Sequence, residues 1–170
     1  MFTNYTPDEV QEIVTAGSSK KKGASVSYAS QEEKLFYATK HVRVFDGIEM
    51  EYIQKIVSDV KIGRYQSGDT MDMGGENTQM IHYVMSGCIT MPLEGETQVE
   101  LGKDQIFGEV GAFTKTNSQK IINIVDGNTM IFSFKINKNE LSKDTAEAFV
   151  KLYEALLMHT TNKLLWFDLI

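Results

Sequence analysis

The sequence predicts a mainly β fold: an eight-stranded jelly roll, or double-stranded β-helix, with helices before it and one long helix after it. Three observations lead there. Apolar residues change from helical to alternating spacing near Val60, and about eight short alternating segments follow. Turn residues separate them at close intervals, at Ser67-Gly68-Asp69, Gly74-Gly75-Glu76-Asn77, Ser86-Gly87, Gly102-Lys103-Asp104 and Asp126-Gly127-Asn128. Helix-opening signals flank this region on both sides.

The first helix is announced by Thr6-Pro7-Asp8-Glu9, with an N-cap Thr, Pro at the first helical position and Glu three residues after the cap. Tyr5 and Val10 are spaced as a hydrophobic staple, and Gly17 can close the helix. Residues 17–29 lack apolar periodicity and read as a connector, its Lys20-Lys21-Lys22 run a solvated charge cluster. Ser30 with Glu33 opens a second helix bearing Leu35, Phe36 and Val42. Asp46 with Glu49 is expected to cap a third, with Met50, Ile53, Ile56 and Val57 on one side.

Strands are expected near Val60–Tyr65, Thr70–Met73, Met80–Met85, Cys88–Met91, Thr97–Leu101, Gln105–Phe107, Lys120–Val125 and Thr129–Ile136. Ser86-Gly87 and Asp126-Gly127 are hairpin-type dipeptides. The methionines at 71, 73, 80, 85 and 91 fall at strand positions and read as core fill. Asp144-Thr145-Ala146-Glu147 is a further capping box. It opens a helix with Phe149, Leu152, Tyr153, Leu156, Leu157, Thr160, Leu164 and Phe167 at helical spacing. Its tail, residues 164–170, is more apolar than a chain end needs, and either packs back on the barrel or forms a dimer seam or partner site.

With 170 residues and 42% apolar content the chain can build one good core. A formal charge of −6 argues against a nucleic-acid binder held by phosphate contacts. Cys88 is the single cysteine, which excludes an intramolecular disulfide and suits a reducing compartment. The N-terminus has no secretory pattern, and no run reaches the roughly 18 apolar residues of a membrane span. A soluble, cytoplasmic protein is expected.

The stretch with candidate ligand chemistry is Phe107-Gly108-Glu109-Val110-Gly111-Ala112-Phe113. Glycine brings backbone amides close to an anion, and a carboxylate between two glycines can accept hydrogen bonds from a diol. Catalytic constellations are missing. His41, His82 and His159 lie on separate predicted elements, which disfavours the paired-histidine metal site of cupin enzymes, and neither a nucleophile elbow nor a P-loop occurs. Glu94, Glu96 and Glu100 read as a solvated face. No enzyme activity and no metal are expected.

The order of motifs resembles the cyclic nucleotide-binding domain family. Val44-Phe45-Asp46-Gly47-Ile48 is similar to its "lF.gl" entry, and Tyr65-Gln66-Ser67-Gly68-Asp69-Thr70 to its "y..Ge.i" turn. Tyr83-Val84-Met85-Ser86-Gly87-Cys88-Ile89 is similar to "yiilsG.v", and residues 101–109 to "l..G..fGE". The resemblance covers roughly Val44 to Leu157. It implies an N-terminal arm and linker over 1–43 and a sensor domain over 44–170. It also implies a phosphate-binding cassette that begins at Phe107. In it Gly108 and Glu109 would hold a ribose 2′-hydroxyl, with amides near Gly111 and Ala112 facing the phosphate of cAMP or cGMP.

The family's phosphate-binding Arg falls here on Ser118 or Gln119, with Lys120 the next cation. Lys120 lacks the bidentate fork of Arg. Such a loss costs a few kcal/mol, roughly two or three powers of ten in affinity, so weakened or altered binding is expected. The final helix resembles the dimerisation helix of the catabolite-activator branch. Thr160 and Thr161 then stand where small hydroxyl residues meet the base, which implies a homodimer or protein partner along that helix. The helix-turn-helix domain of that branch has no counterpart before Ile170, so DNA binding of that kind is not expected. An interaction scaffold with an empty cassette is the alternative.

Overall fold

The computed structural model describes residues 30–92, 98–114 and 121–166. The Thr6 helix, the lysine cluster, Glu94, Glu96, Ser118 to Lys120 and the tail after Trp166 lie outside them.

Helix α1 (Gln31–His41) is held by the predicted capping box. Glu33 N–H donates to Ser30 Oγ at 3.1 Å, and Ser30 N–H donates to Glu33 Oε2 at 2.7 Å. Leu35, Ala38 and Val42, at i, i+3 and i+7, turn inward, while Phe36 lies half-buried under the Lys40 ammonium. The next expected cap is not there. Asp46 ends a 3-10 turn (Arg43–Phe45), and Gly47 follows at φ +74°, outside helical space. Helix α2 (Met50–Ile56) therefore starts only after Glu49 and has no side-chain cap.

Strand β1 (Val57–Tyr65) begins three residues earlier than the alternation suggests. Asp59 takes φ +52°, and the register with its partner slips between Ser58 and Lys61. Such a bulge hides the start of a strand from a period-two reading. There follow β2 (Thr70–Asp72), β3 (Ile81–Ser86), β4 (Ile89–Pro92), β5 (Gln98–Leu101) and β6 (Ile106–Phe107). Then come the short helix α3 (Glu109–Thr114), β7 (Ile121–Ile124), β8 (Thr129–Ile136) and the long helix α4 (Ala146–Trp166). Thr145 directly precedes α4, and its carbonyl accepts the Phe149 N–H at 3.0 Å. The cap therefore falls one residue after Asp144.

Two four-stranded antiparallel sheets result, β1-β8-β3-β6 and β2-β7-β4-β5, the jelly-roll arrangement expected. Neither Gly dipeptide closes a hairpin. Ser86-Gly87 and Asp126-Gly127 each carry the chain from one sheet to the other. The two corners bond to each other: Val125 N–H donates to Cys88 O at 3.0 Å, and Cys88 N–H donates to Thr129 Oγ1 at 3.2 Å. Turn chemistry reports that the chain reverses, not which sheet receives it.

The first sheet is covered on both faces, so β3 is buried from Ile81 through Met85 without alternation. Ile81, Tyr83, Phe132 and Phe134 face the helices, where Phe45 packs on both phenylalanine rings. Val84, Phe107 and Ile131 face the second sheet with Met71, Met73 and Met91. All five predicted core methionines are buried. Leu35 and Ala38 of α1 and Phe149, Leu152 and Leu156 of α4 belong to the helix-side core, so both helices dock on the same sheet.

Candidate functional site

Strand β6 ends at the Gly108 elbow. Phe107 sits opposite His82 across the β3–β6 ladder, fully buried, and the two rings stack at 4.8 Å. Gly108 then takes φ +79°. A Cβ there would lie 2.8 Å from His82 Cδ2 and 2.8 Å from the Met80 carbonyl oxygen. Only glycine fits this turn. The Ala112 N–H donates back to Gly108 O at 2.9 Å, which closes the first turn of α3.

Glu109 opens α3 and is buried. Its Oε1 accepts from the Lys163 ammonium and lies 3.5 Å from Thr160 Oγ1, both on α4. Lys163 Nζ also donates to the Ile106 carbonyl at 3.1 Å. The two side chains keep only 6% (Glu109) and 12% (Lys163) of their surface exposed, so this is a buried ion pair. Removing one member of such a pair typically costs about 3–5 kcal/mol, because the other charge is stranded.

Lys163 is the residue at the candidate site that sequence reasoning missed. The signal was faint but present. Leu152, Leu156, Thr160 and Lys163 follow one another at i+4, i+4 and i+3, so a lysine continues the inward stripe of α4. A charge on such a stripe calls for a buried partner.

The other candidates separate. Gly108, Glu109, Gly111 and Ala112 share the elbow and α3, with Gly111 buried and Ala112 packed against the helix-side core. Phe107 lies in the core between the sheets rather than at the surface. Thr160 reaches the cassette, although its hydroxyl donates to the Leu156 carbonyl at 2.9 Å. Thr161 lies about 100° round the helix. It shares a side with Val150 and Leu157, at i+11 and i+4 from them. Ser118, Gln119 and Lys120 lie outside the described residues.

Beneath the elbow, His82 is fully buried. Its Nδ1 lies 2.7 Å from Ser133 Oγ, and Nε2 has no hydrogen-bond partner among the described residues. Burial pushes its pKa down to about 3, so the ring is neutral. Nearer α4, Tyr83 donates to Asp104 Oδ1 at 2.6 Å, and the His159 ring packs edge-on against Tyr83 at 6.3 Å. Among the described residues no group of three His, Cys, Asp or Glu is placed to hold a metal ion. None of their helices is long and apolar enough to cross a membrane.

The outer side of α4 carries an apolar stripe. Val150 is 54% exposed, Tyr153 36% and Leu157 66%, at i, i+3 and i+7. The Tyr153 ring lies 5.7 Å from Phe113 at the end of α3, so the stripe is continuous with the cassette helix.

No family model matches the chain, and no curated protein sequence does. Solved structures do. The chain is similar to the catabolite activator protein of Thermus thermophilus, with 17% identity and a TM-score of 0.50 over 74% of this chain and 60% of that one. It is similar to the sensor domain of the transcriptional regulator DNR from Pseudomonas aeruginosa, with 21% identity and a TM-score of 0.53 over 79% of this chain and 93% of that one. It is also similar to the regulatory domain of Toxoplasma gondii PKA crystallised with cAMP, with 15% identity and a TM-score of 0.52 over 81% of this chain and 53% of that one. The chain thus spans less than two thirds of the first and third of these proteins. At such identities the likeness is one of architecture, and that architecture is the cyclic nucleotide-binding domain fold.

Proposed function

We propose that the chain is a non-enzymatic regulatory module that senses a small hydroxyl-bearing anion, a cyclic nucleotide such as cAMP or cGMP, at Gly108 to Ala112. Occupancy is passed on through α4. The observation that carries this is the Glu109 carboxylate, buried at the Gly108 elbow and in direct contact with two residues of the closing helix. A ribose hydroxyl is a donor that requires such an acceptor. Any change at Glu109 is felt at once by Thr160 and Lys163. The exposed stripe of Val150, Tyr153 and Leu157, joined to α3 through Phe113, supports an output by contact with a second copy or another protein.

Binding is weak in this reading, because Ser118 and Gln119 are uncharged and Lys120 offers only a point charge. Calorimetric titration with cAMP, cGMP and cyclic dinucleotides is the test. Micromolar binding that is abolished in Glu109→Ala upholds the sensor. One observation favours the alternative, a scaffold whose cassette takes no ligand: Glu109 is already satisfied from within by Lys163. Absence of heat with every nucleotide at high protein concentration would establish that alternative.

A further inference from the structure

Helix α4 is held in two different ways along its length. Phe149, Leu152 and Leu156 anchor its first part in the core, but beyond Leu156 none of its described residues is fully buried. From there on the ties to the cassette are the bonds of Lys163 to Glu109 and Ile106, while the Thr160 hydroxyl, which donates to the Leu156 carbonyl, stands 3.5 Å from Glu109 Oε1. The last turns of α4 are therefore strapped to the cassette mainly through one ammonium group.

We propose that Lys163 is an internal competitor for the ligand site: it occupies the Glu109 acceptor that a ligand hydroxyl requires, so the last turns of α4 lift away before ligand binds, and the docked helix is the silenced state. The proposal rests on the sensor reading of the cassette and adds the regulation of that site. An ammonium–carboxylate hydrogen bond is about twice as strong as a neutral one, so a hydroxyl does not displace Lys163 without loss. The loss appears as a reduced apparent affinity, scaled by the fraction of molecules whose strap is open. Opening is local, because it disturbs no fully buried apolar residue of α4. Of the outer stripe it reaches only Leu157, since Val150 and Tyr153 lie in the anchored part of α4. The direction is specific: ligand releases the end of α4 rather than drawing it down as a lid.

The test combines calorimetry with amide hydrogen exchange read by mass spectrometry, on wild type, Lys163→Met and Lys163→Arg. In Lys163→Met, exchange across residues 157–166 should speed at least tenfold, and cAMP or cGMP should bind roughly ten- to a hundredfold more tightly. Lys163→Arg keeps a cation and its donors and should stay close to wild type. Unchanged exchange and unchanged affinity in Lys163→Met overturn the proposal. If exchange accelerates but neither nucleotide binds to any form, the cyclic-nucleotide reading fails while the strap stands. Should Lys163→Met fail to fold, wild type decides alone. Saturating nucleotide should speed exchange over 157–166, and slowed exchange there refutes the competitor.

Discussion

Replacing Gly108 with alanine tests the elbow on which the site is built, and the structure allows its cost to be worked in two parts. The backbone stands at φ +79°, where a Cβ costs about 1–2 kcal/mol. The new methyl would also meet His82 Cδ2 and the Met80 carbonyl, each at 2.8 Å, inside the contact distance of real side chains. Relieving such an overlap in a packed interior typically costs a further ~1–3 kcal/mol. Gly108→Ala should therefore lower stability by about 2–5 kcal/mol, which for a domain of this size is a Tm decrease of roughly 4–20 °C. Gly47 provides the internal control. It has φ +74°, but a Cβ there would find nothing within 4 Å, so Gly47→Ala carries the backbone part alone. Urea unfolding followed by far-UV circular dichroism, with all three proteins at one pH, gives the difference directly. Equal midpoints for the two variants would refute the close approach of Gly108 to His82 and Met80, and with it the packing that aims Glu109 at α4.

Three further outcomes are expected. His82 is held neutral with a pKa of about 3 by burial, so the unfolded chain binds the extra proton between about pH 6.5 and 3; stability is full above that window and falls by about 1.4 kcal/mol per pH unit on acidification through it. His82→Gln should remove that increment from the pH dependence of urea midpoints, and an unaltered slope would contradict it. Thr129 Oγ1 joins the two sheet corners by donating to Asp126 O at 2.7 Å and accepting from Cys88 N–H, so Thr129→Val should cost about 1–3 kcal/mol in the same assay. If the outer stripe of α4 is the output surface through a second copy, wild type should self-associate in sedimentation velocity and Leu157→Glu should be monomeric; a wild type monomeric at every concentration would assign the stripe to another partner.

How far the sequence foretold this molecule depends on whether the determining contact is local. The Ser30–Glu33 box is four residues wide, and both of its hydrogen bonds form as the spacing predicts. The Gly-Glu pair at 108–109 is adjacent, and its elbow was legible for the same reason. Asp46 shows the limit even at short range, since the same spacing meets a positive-φ glycine at 47 and the helix starts later. Ser86-Gly87 goes wrong at longer range. The corner that forms there instead of a hairpin is bonded to Thr129, 41 positions away from the Cys88 amide it accepts.

The Glu109–Lys163 pair spans 54 positions and leaves no local period of its own. What it does leave is a change in the chemistry of one helical stripe. The inward face of α4 runs Phe149, Leu152, Leu156 and then Thr160, Lys163. Where the stripe is apolar the helix lies on the first sheet, and where it turns polar the helix has reached the buried carboxylate of the cassette. Burial of a lysine without a partner costs far more than burial of a leucine, so a lysine at an inward position already implies a carboxylate or carbonyl opposite it. The face that docks α4 on the domain is thus the same face that couples it to the candidate ligand site, and the switch from Leu156 to Thr160 marks where packing ends and coupling begins.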